Sequence, residues 1–261
     1  MPSDNGCAYL GMYDFPTLHP ALDGWWSGLV GCFRSQGFSD VPERLTPQLS
    51  DPYDIWLAPN LFFAQTCGFP LTHRLEGKVR LVGTPCYDAP GCDGAMYSSL
   101  IIVRSDSDVE NLSAALPARV AVNGMDSYSG WRALCGTVQS LGISIKSGSF
   151  SEIIMSGSHA RSIDLVREGK ADVAAIDCVT HALIGDTDPQ RLAGTRILQQ
   201  SASVPGLPYV TRADMGDADV QRMAEAIENA FSDPELADFR WVLRLAGFRK
   251  VPLQEYQRIM K

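Results

Sequence analysis

The apolar positions of this 261-residue chain fall into two rhythms, and their alternation sets out the fold. Trp25, Trp26, Leu29, Val30 and Phe33 recur at the spacing of one helix face, so Asp23 to Phe33 is predicted helical with Gly37 as its stop. Val220, Met223, Ala224, Ile227 and Phe231 repeat that spacing over a helix from Asp217 to Phe231. Shorter helices are expected over Leu61 to Cys67, Val109 to Leu116, His159 to Glu168 and Asp233 to Leu245. Short unbroken apolar runs between them read as buried strands: Ala8 to Tyr13, Ile55 to Ala58, Val79 to Gly83, Ser98 to Val103, Val120 to Val122, Gly142 to Lys146, Ala171 to Ile176 and Arg196 to Leu198. Strands alternating with helices predict an α/β protein with mainly parallel sheets, whose ligands lie beyond the carboxyl ends of strands.

One stretch within this pattern carries chemistry. Val120-Ala121-Val122 runs through Asn123-Gly124-Met125-Asp126 into Ser127-Tyr128-Ser129-Gly130, after which Trp131, Leu134 and Val138 mark a helix face. The first N–H groups of a helix lack intrahelical partners and stand at its positive dipole end. Small hydroxyl residues there make either an ordinary N-cap or a seat for a small oxyanion, and both readings stay open on this stretch alone.

Composition narrows the partners. The chain is 45% hydrophobic and 20% charged, a globular profile with material for one large domain or two lobes. Its formal net charge is −8 and it has no Lys/Arg runs, which argues against a nucleic-acid partner. No run of about 18 apolar residues occurs, so no membrane insertion is expected. Seven cysteines without metal-site spacing, and four scattered histidines, predict neither a metal site nor a cofactor. Free thiols in a reducing compartment are the simplest account, with a Cys86–Cys92 bridge left open. The start of the chain shows no signal-peptide pattern, so the expectation is a cytoplasmic protein, or a periplasmic one whose leader was removed.

Several short segments, taken in order, resemble a known family. They are Met12-Tyr13-Asp14, Gln65-Thr66-Cys67-Gly68-Phe69-Pro70-Leu71, Gly83-Thr84-Pro85-Cys86-Tyr87 and Tyr97-Ser98-Ser99, followed by Ser127-Tyr128-Ser129-Gly130, Gly157-Ser158-His159 and Gly169-Lys170-Ala171-Asp172 through Asp177. Over roughly residues 8 to 212 the series resembles the phosphate/phosphonate-binding proteins of ABC importers, a branch of the type 2 periplasmic-binding-protein fold. The resemblance implies a two-lobed clamshell with a central cleft, lobe 1 from residues 1–102 plus 206–261 and lobe 2 from residues 103–205, joined by two crossover strands. It also implies Ser127, Tyr128, Ser129, His159 and Asp177 as ligand contacts, with Tyr13 and Tyr97 from the first lobe. Tyr128 stands where the family often has threonine, which changes the size of the anion turn.

The leading expectation is therefore a solute-binding component that closes on phosphate, phosphite or a phosphonate without chemistry and is read by an ABC permease. Two alternatives remain: a cytoplasmic enzyme of the same fold in cofactor biosynthesis, with His159 and Asp177 as its acid/base pair, or a cytoplasmic ligand sensor. Cys67 has no assignable base and reads as a structural thiol rather than a nucleophile.

Overall fold

The computed structural model describes residues 6–47, 49, 51–146 and 148–260, and no side chain beyond Arg258. In chain order the first elements are β1 (Cys7–Tyr9), α1 (His19–Ser35), α2 (Tyr53–Trp56), β2 (Leu61–Gln65), α3 (Gly68–Thr72) and β3 (Val79–Tyr87). There follow β4 (Met96–Tyr97), β5 (Ser99–Arg104), α4 (Leu112–Ala115), β6 (Ala118–Val122), a π-turn (Tyr128–Arg132), α5 (Ala133–Ser140) and β7 (Phe150–Met155). Then come α6 (His159–Arg167), β8 (Val173–Asp177), α7 (Cys178–Thr187), α8 (Pro189–Leu192), β9 (Thr195–Gln200) and β10 (Val204–Pro205). The chain ends with β11 (Tyr209–Arg212), α9 (Asp217–Ser232), α10 (Ala237–Val242), β12 (Leu245–Arg249) and α11 (Leu253–Met260).

Two compact units result, one from the residues up to Asp88 and from Pro205 onward, the other from Ala89 to Val204. Residues 89–102, expected with the first lobe, fall in the second unit because β5 pairs with β8 and β9. Tyr97 moves with them.

Unit 1 is built on a five-stranded sheet in the order β1-β2-β11-β3-β12. β1 runs parallel to β2, while β11 and β12 enter antiparallel. All five residues of β2 are buried, among them Phe62 and Phe63. Aromatic rings join this sheet to α1 and α9: Phe33 meets Phe62 edge-on at 5.2 Å, Trp26 stacks with Phe63 at 6.0 Å, and Trp25 meets Phe231 at 5.1 Å. Gly83 is required here, since a Cβ would lie 2.2 Å from the Phe248 ring.

Unit 2 repeats the plan with β7-β6-β8-β5-β9. β7, β6 and β8 are mutually parallel, with Val120 opposite Ile153 and Val173, and β5 returns antiparallel with Ser99 opposite Asp177. Its core is aliphatic: Ile101, Val103, Val120, Val122, Leu134, Val138 and Val173 form one buried cluster. Burying each such side chain stabilises the fold by about 1.5–3 kcal/mol before entropy is counted.

Several local expectations change, each for a readable reason. Ile55 to Ala58, predicted as a strand, begins inside the short helix α2, and Leu61 to Gln65, predicted as helical, is the strand β2. A short apolar run has no period that separates the two states, and a strand buried on both faces shows no alternation. Gly142 to Lys146 forms no strand among its described residues. The edge strand is instead β7, whose exposed Ser151 and Glu152 dilute its apolar pattern. The helical region expected to Leu245 stops at Val242, where Arg244 takes a φ of 54° and turns the chain into β12. The helix expected over Val109 to Leu116 contracts to Leu112–Ala115, capped by the Asn111 side chain accepting from the Ala114 N–H.

Candidate functional site

Three chain reversals of unit 2 meet on one edge of its sheet. β6 ends at Val122, β7 at Met155 and β8 at Asp177, and because these strands are parallel neighbours their carboxyl ends point the same way. Antiparallel β5 begins at that same edge, where the Cys178 N–H donates to the Ser98 carbonyl at 3.2 Å. This is where the α/β architecture places ligands.

After Val122 the chain turns through Asn123–Asp126 and enters the π-turn. Ser127 is its N-cap, with extended dihedrals (φ −81°, ψ 128°), and its Oγ accepts from the Gly130 N–H at 3.1 Å. The Arg132 N–H reaches the Ser127 carbonyl at 3.3 Å, one residue further than in an α-helix. This wider turn carries Tyr128, half-buried, and Ser129, which is buried.

Ser129 Oγ lies 2.8 Å from His159 Nε2. His159 opens α6, and Ser158 caps that helix by accepting from the Arg161 N–H at 3.1 Å. Burial holds the imidazole well below its usual value, at about 4, with a smaller opposing effect from the Ala175 backbone. His159 is therefore neutral at pH 7. Asn123 Nδ2 also points at His159 Nε2, from 3.3 Å. Two donors converging on Nε2 leave the proton on Nδ1, which is buried without a hydrogen-bond partner. In this tautomer the Ser129 hydroxyl donates inward. Moving the proton to Nε2 makes His159 the donor and turns the Ser129 hydroxyl proton outward, with no change in charge.

Asp177 is buried at the end of β8 and caps α7, its Oδ1 accepting from the Thr180 N–H at 2.9 Å. The ordinary strand-end reading of this residue is thus satisfied, and one carboxylate oxygen is committed to it. Tyr97 is buried on β4, in the same unit. Tyr13 belongs to unit 1, where it is buried and meets Tyr87 edge-on at 5.1 Å. Also in unit 1, the Thr66 hydroxyl is buried without a hydrogen-bond partner.

The structure therefore brings Ser129 and His159 into contact, sets Ser127 and Tyr128 on the same turn, and ends β8 with Asp177 at the same sheet edge. Sequence reasoning missed Asn123. Its Oδ1 is buried without a hydrogen-bond partner, and a Cβ on Gly130 would come within 1.8 Å of it. In sequence Asn123-Gly124 reads as a turn dipeptide, which hides an amide directed at His159. Among the described residues no cluster of His, Cys, Asp or Glu could hold a metal, and no helix is long and apolar enough to cross a membrane.

The family model for "ABC transporter, phosphonate, periplasmic substrate-binding protein" matches residues 71–256. The chain belongs to this family. Its members are substrate-binding components of phosphonate transporters. No curated protein matches the chain.

Among solved structures, XAC2383 from Xanthomonas citri bound to ATP superposes with a TM-score of 0.72 at 18% identity, over 99% of this chain and 96% of that one. A binding-protein component of an ABC phosphonate transporter (PA3383) from Pseudomonas aeruginosa gives 0.75 at 15% identity, over 98% and 84%. PhnD1 from Prochlorococcus marinus in complex with methylphosphonate gives 0.74 at 14% identity, over 98% and 95%. At these identities the likeness establishes the fold, which is that of periplasmic binding proteins.

Proposed function

We propose that the chain is the solute-binding component of an ABC import system and that its ligand is a small oxyanion of the phosphonate, phosphate or phosphite type. The observation that carries this reading is the Ser127–Gly130 turn at the carboxyl end of β6, with Ser129 bonded to a neutral histidine. A hydroxyl that can reverse its donor role at the start of a helix, beside a neutral imidazole, supplies directed hydrogen bonds to an anion. Discrimination then rests on hydrogen-bond geometry rather than on a cationic side chain.

The proposed contacts are Ser127, Tyr128, Ser129, His159, Asp177 and Tyr97 in unit 2 and Tyr13 in unit 1, the last resting on the resemblance alone. Asn123 joins them as a positioning residue for His159. An ABC permease is the proposed partner. Methylphosphonate in PhnD1 supports the ligand class.

No bond is broken in this reading. A histidine held at about 4 is a weak base far from neutrality, which disfavours an acid/base enzyme built on His159 and Asp177.

The test is a thermal-shift panel of methylphosphonate, aminoethylphosphonate, phosphite, phosphate, sulfate and ATP on the intact chain and on Ser129→Ala. Ligand at about 100 times its dissociation constant adds roughly 2.7 kcal/mol, a shift of a few degrees. We expect a shift with a phosphonate-type oxyanion that Ser129→Ala abolishes while remaining folded by circular dichroism. Ser129→Ala is a cleaner probe than Ser127→Ala, which also removes a cap worth about 0.5–2 kcal/mol. A folded wild type that shifts with none of the oxyanions would overturn the proposal, and a shift with ATP alone would redirect it to a nucleotide ligand.

A further inference from the structure

Cys92 and Cys178 are far apart in sequence, yet their Sγ atoms lie 3.5 Å apart within unit 2. Cys178 is buried and is the first residue of α7, directly after Asp177, while Cys92 is only half-buried. The sequence pairs Cys92 by proximity with Cys86, but in the fold its thiol faces Cys178 instead.

The segment carrying Cys92 is fixed against the start of α7 by contacts other than the sulfurs. The Cys92 N–H closes a turn on the Ala89 carbonyl at 2.9 Å, and Ser98 Oγ donates to the Gly91 carbonyl at 3.0 Å. Gly91, at a φ of 105°, permits this approach. A Cβ there would lie 2.7 Å from Ser98 Oγ and 2.9 Å from Cys178 Cβ. The two thiols are thus held in van der Waals contact by backbone that does not depend on them.

We propose that Cys92 and Cys178 are a thiol–disulfide site that forms an intramolecular bridge by exchange with a small disulfide. The Cys92 thiolate attacks one sulfur of the disulfide, and the other sulfur leaves as a thiolate, giving a mixed disulfide on Cys92. Cys178, after losing its proton, attacks the Cys92 sulfur and expels the second small thiolate. The protein loses two protons and two electrons, and the small disulfide takes them up to become two thiols. The exposed partner attacks and the buried partner resolves, as their burial dictates. The shared thiol hydrogen bond, then burial and the neighbouring Cys178 and Asp177 charges, push the Cys92 thiol up, so exchange is slow at neutral pH and quickens as pH rises. This inference does not depend on the ligand assignment.

Oxidised glutathione is the probe, applied to the folded chain and, in parallel, to the reduced chain as it refolds. Intact mass should fall by two hydrogens, and a non-reducing peptide map should show one bridge, Cys92–Cys178, which dithiothreitol removes. Cys178→Ser should stop at one glutathione on Cys92, and Cys92→Ser should leave Cys178 unmodified in the folded protein. The bridged form should melt higher than the reduced form, and that difference should vanish in Cys178→Ser. A map showing another pairing, Cys86–Cys92 included, or no bridge by either route, would overturn the proposal.

Discussion

The two units share a mixed five-stranded sheet but fill their interiors with different chemistry. Unit 1 packs rings: Trp25, Trp26, Phe33, Phe62, Phe63, Tyr209, Phe231 and Phe248 form a connected set across its sheet and helices. Unit 2 packs branched aliphatics around Val120, Leu134 and Val173. Both units hold unpartnered buried polar atoms, Thr66 Oγ1 in unit 1 and Asn123 Oδ1 and His159 Nδ1 in unit 2, but the groups around them differ. In unit 1 the Tyr256 hydroxyl donates to the Gly206 carbonyl at 2.8 Å and so accepts from Thr84 at 2.7 Å, a pair closed on the protein itself. At the edge of unit 2, Asn123 Oδ1 and His159 Nδ1 are buried without full partners, while Ser129 and His159 can exchange donor and acceptor roles. Polar groups that close on their neighbours fix a structure, whereas groups with unused bonding capacity can take a further hydrogen bond.

The largest effect expected from this contrast is in the ring-packed core. Phe33→Ala removes a fully buried ring that meets Trp26, Phe38, Phe62 and Phe63, and should cost about 3–5 kcal/mol, read as a shift in urea midpoint. Leu134→Ala in unit 2 should cost about 2–5 kcal/mol, toward the lower part of that range where aliphatic neighbours can settle into the space. Equal losses would show that ring geometry adds nothing beyond volume.

Next in size is acid sensitivity of the unit 2 edge. The imidazole of His159 sits near 4 when folded against an ordinary 6.5, so between these values the unfolded chain binds the extra proton. Stability contributed by the neutral ring is complete above about pH 6.5 and is lost as pH falls toward 4, by on the order of 3 kcal/mol in all. His159→Gln should flatten that part of the stability–pH curve, measured by urea unfolding at successive pH values. An unchanged slope would mean that the ring is solvated and positively charged at mildly acidic pH, and it would no longer stand as a neutral group of the site.

Gly130 gives a smaller effect but a sharper division between folding and binding. Gly130→Ala sets a Cβ against Asn123 Oδ1, the end of a side chain that can rotate away, so the fold should lose roughly 1–3 kcal/mol. Rotation of Asn123 also withdraws its amide from His159. Any oxyanion-induced thermal shift should therefore fall by more than the stability does. Adding Asn123→Ala should restore the melting point of Gly130→Ala but not the ligand shift; recovery of both would show that Asn123 has no positioning role.

Much of this could be read from residue order, and the exceptions follow from physics. α1 and α9 are long enough for their apolar spacing to be unmistakable, and both lie where Trp25 to Phe33 and Val220 to Phe231 place them. The three reversals of the middle block were visible because Gly, Ser and Asp interrupt apolar runs after Val122, before His159 and after Ile176. Periodicity failed at Leu61–Gln65, buried on every side, and at Phe150–Met155, an edge strand whose pattern Ser151 and Glu152 interrupt. Of the site, Ser129 and His159 were legible through their motifs, but their contact, the neutral state of the ring and the amide of Asn123 arise from burial and from parallel strand order, which no local pattern encodes. Cys92 and Cys178 belong to the same class, since the turn before β4 and the pairing of β5 with β8 bring them together.

The smallest effect concerns the opposite end of the same strands, and it separates the two ends of unit 2. At the start of β6 and β8, Arg119 grips Asp172 with Nη2 at 2.6 Å from Oδ1 and Nε at 3.2 Å from Oδ2, and it also donates to the Gly169 carbonyl at 2.9 Å. Backbone bonds join the same residues: the Arg119 N–H donates to Asp172 Oδ2, and the Asp172 N–H to the Arg119 carbonyl, each at 2.8 Å. Nε, Nη2 and both backbone N–H groups end on acceptors of the protein itself. The guanidinium holds the Asp172 carboxyl below its usual range, so its contribution persists at neutral pH and fades only as pH falls through that lowered value. Both side chains are well exposed, and solvent and salt screen the pair. Asp172→Asn keeps the shape and removes the charge. It should lower the melting point least of all these variants, with the difference shrinking further in high salt. It should also leave any oxyanion-induced shift at its wild-type size, since the carboxyl edge of β6 and β8 lies at the far end of the strands. A loss of ligand response in Asp172→Asn would mean that the two ends are mechanically coupled through β6 and β8, and the division between a structural end and a binding end of unit 2 would fail.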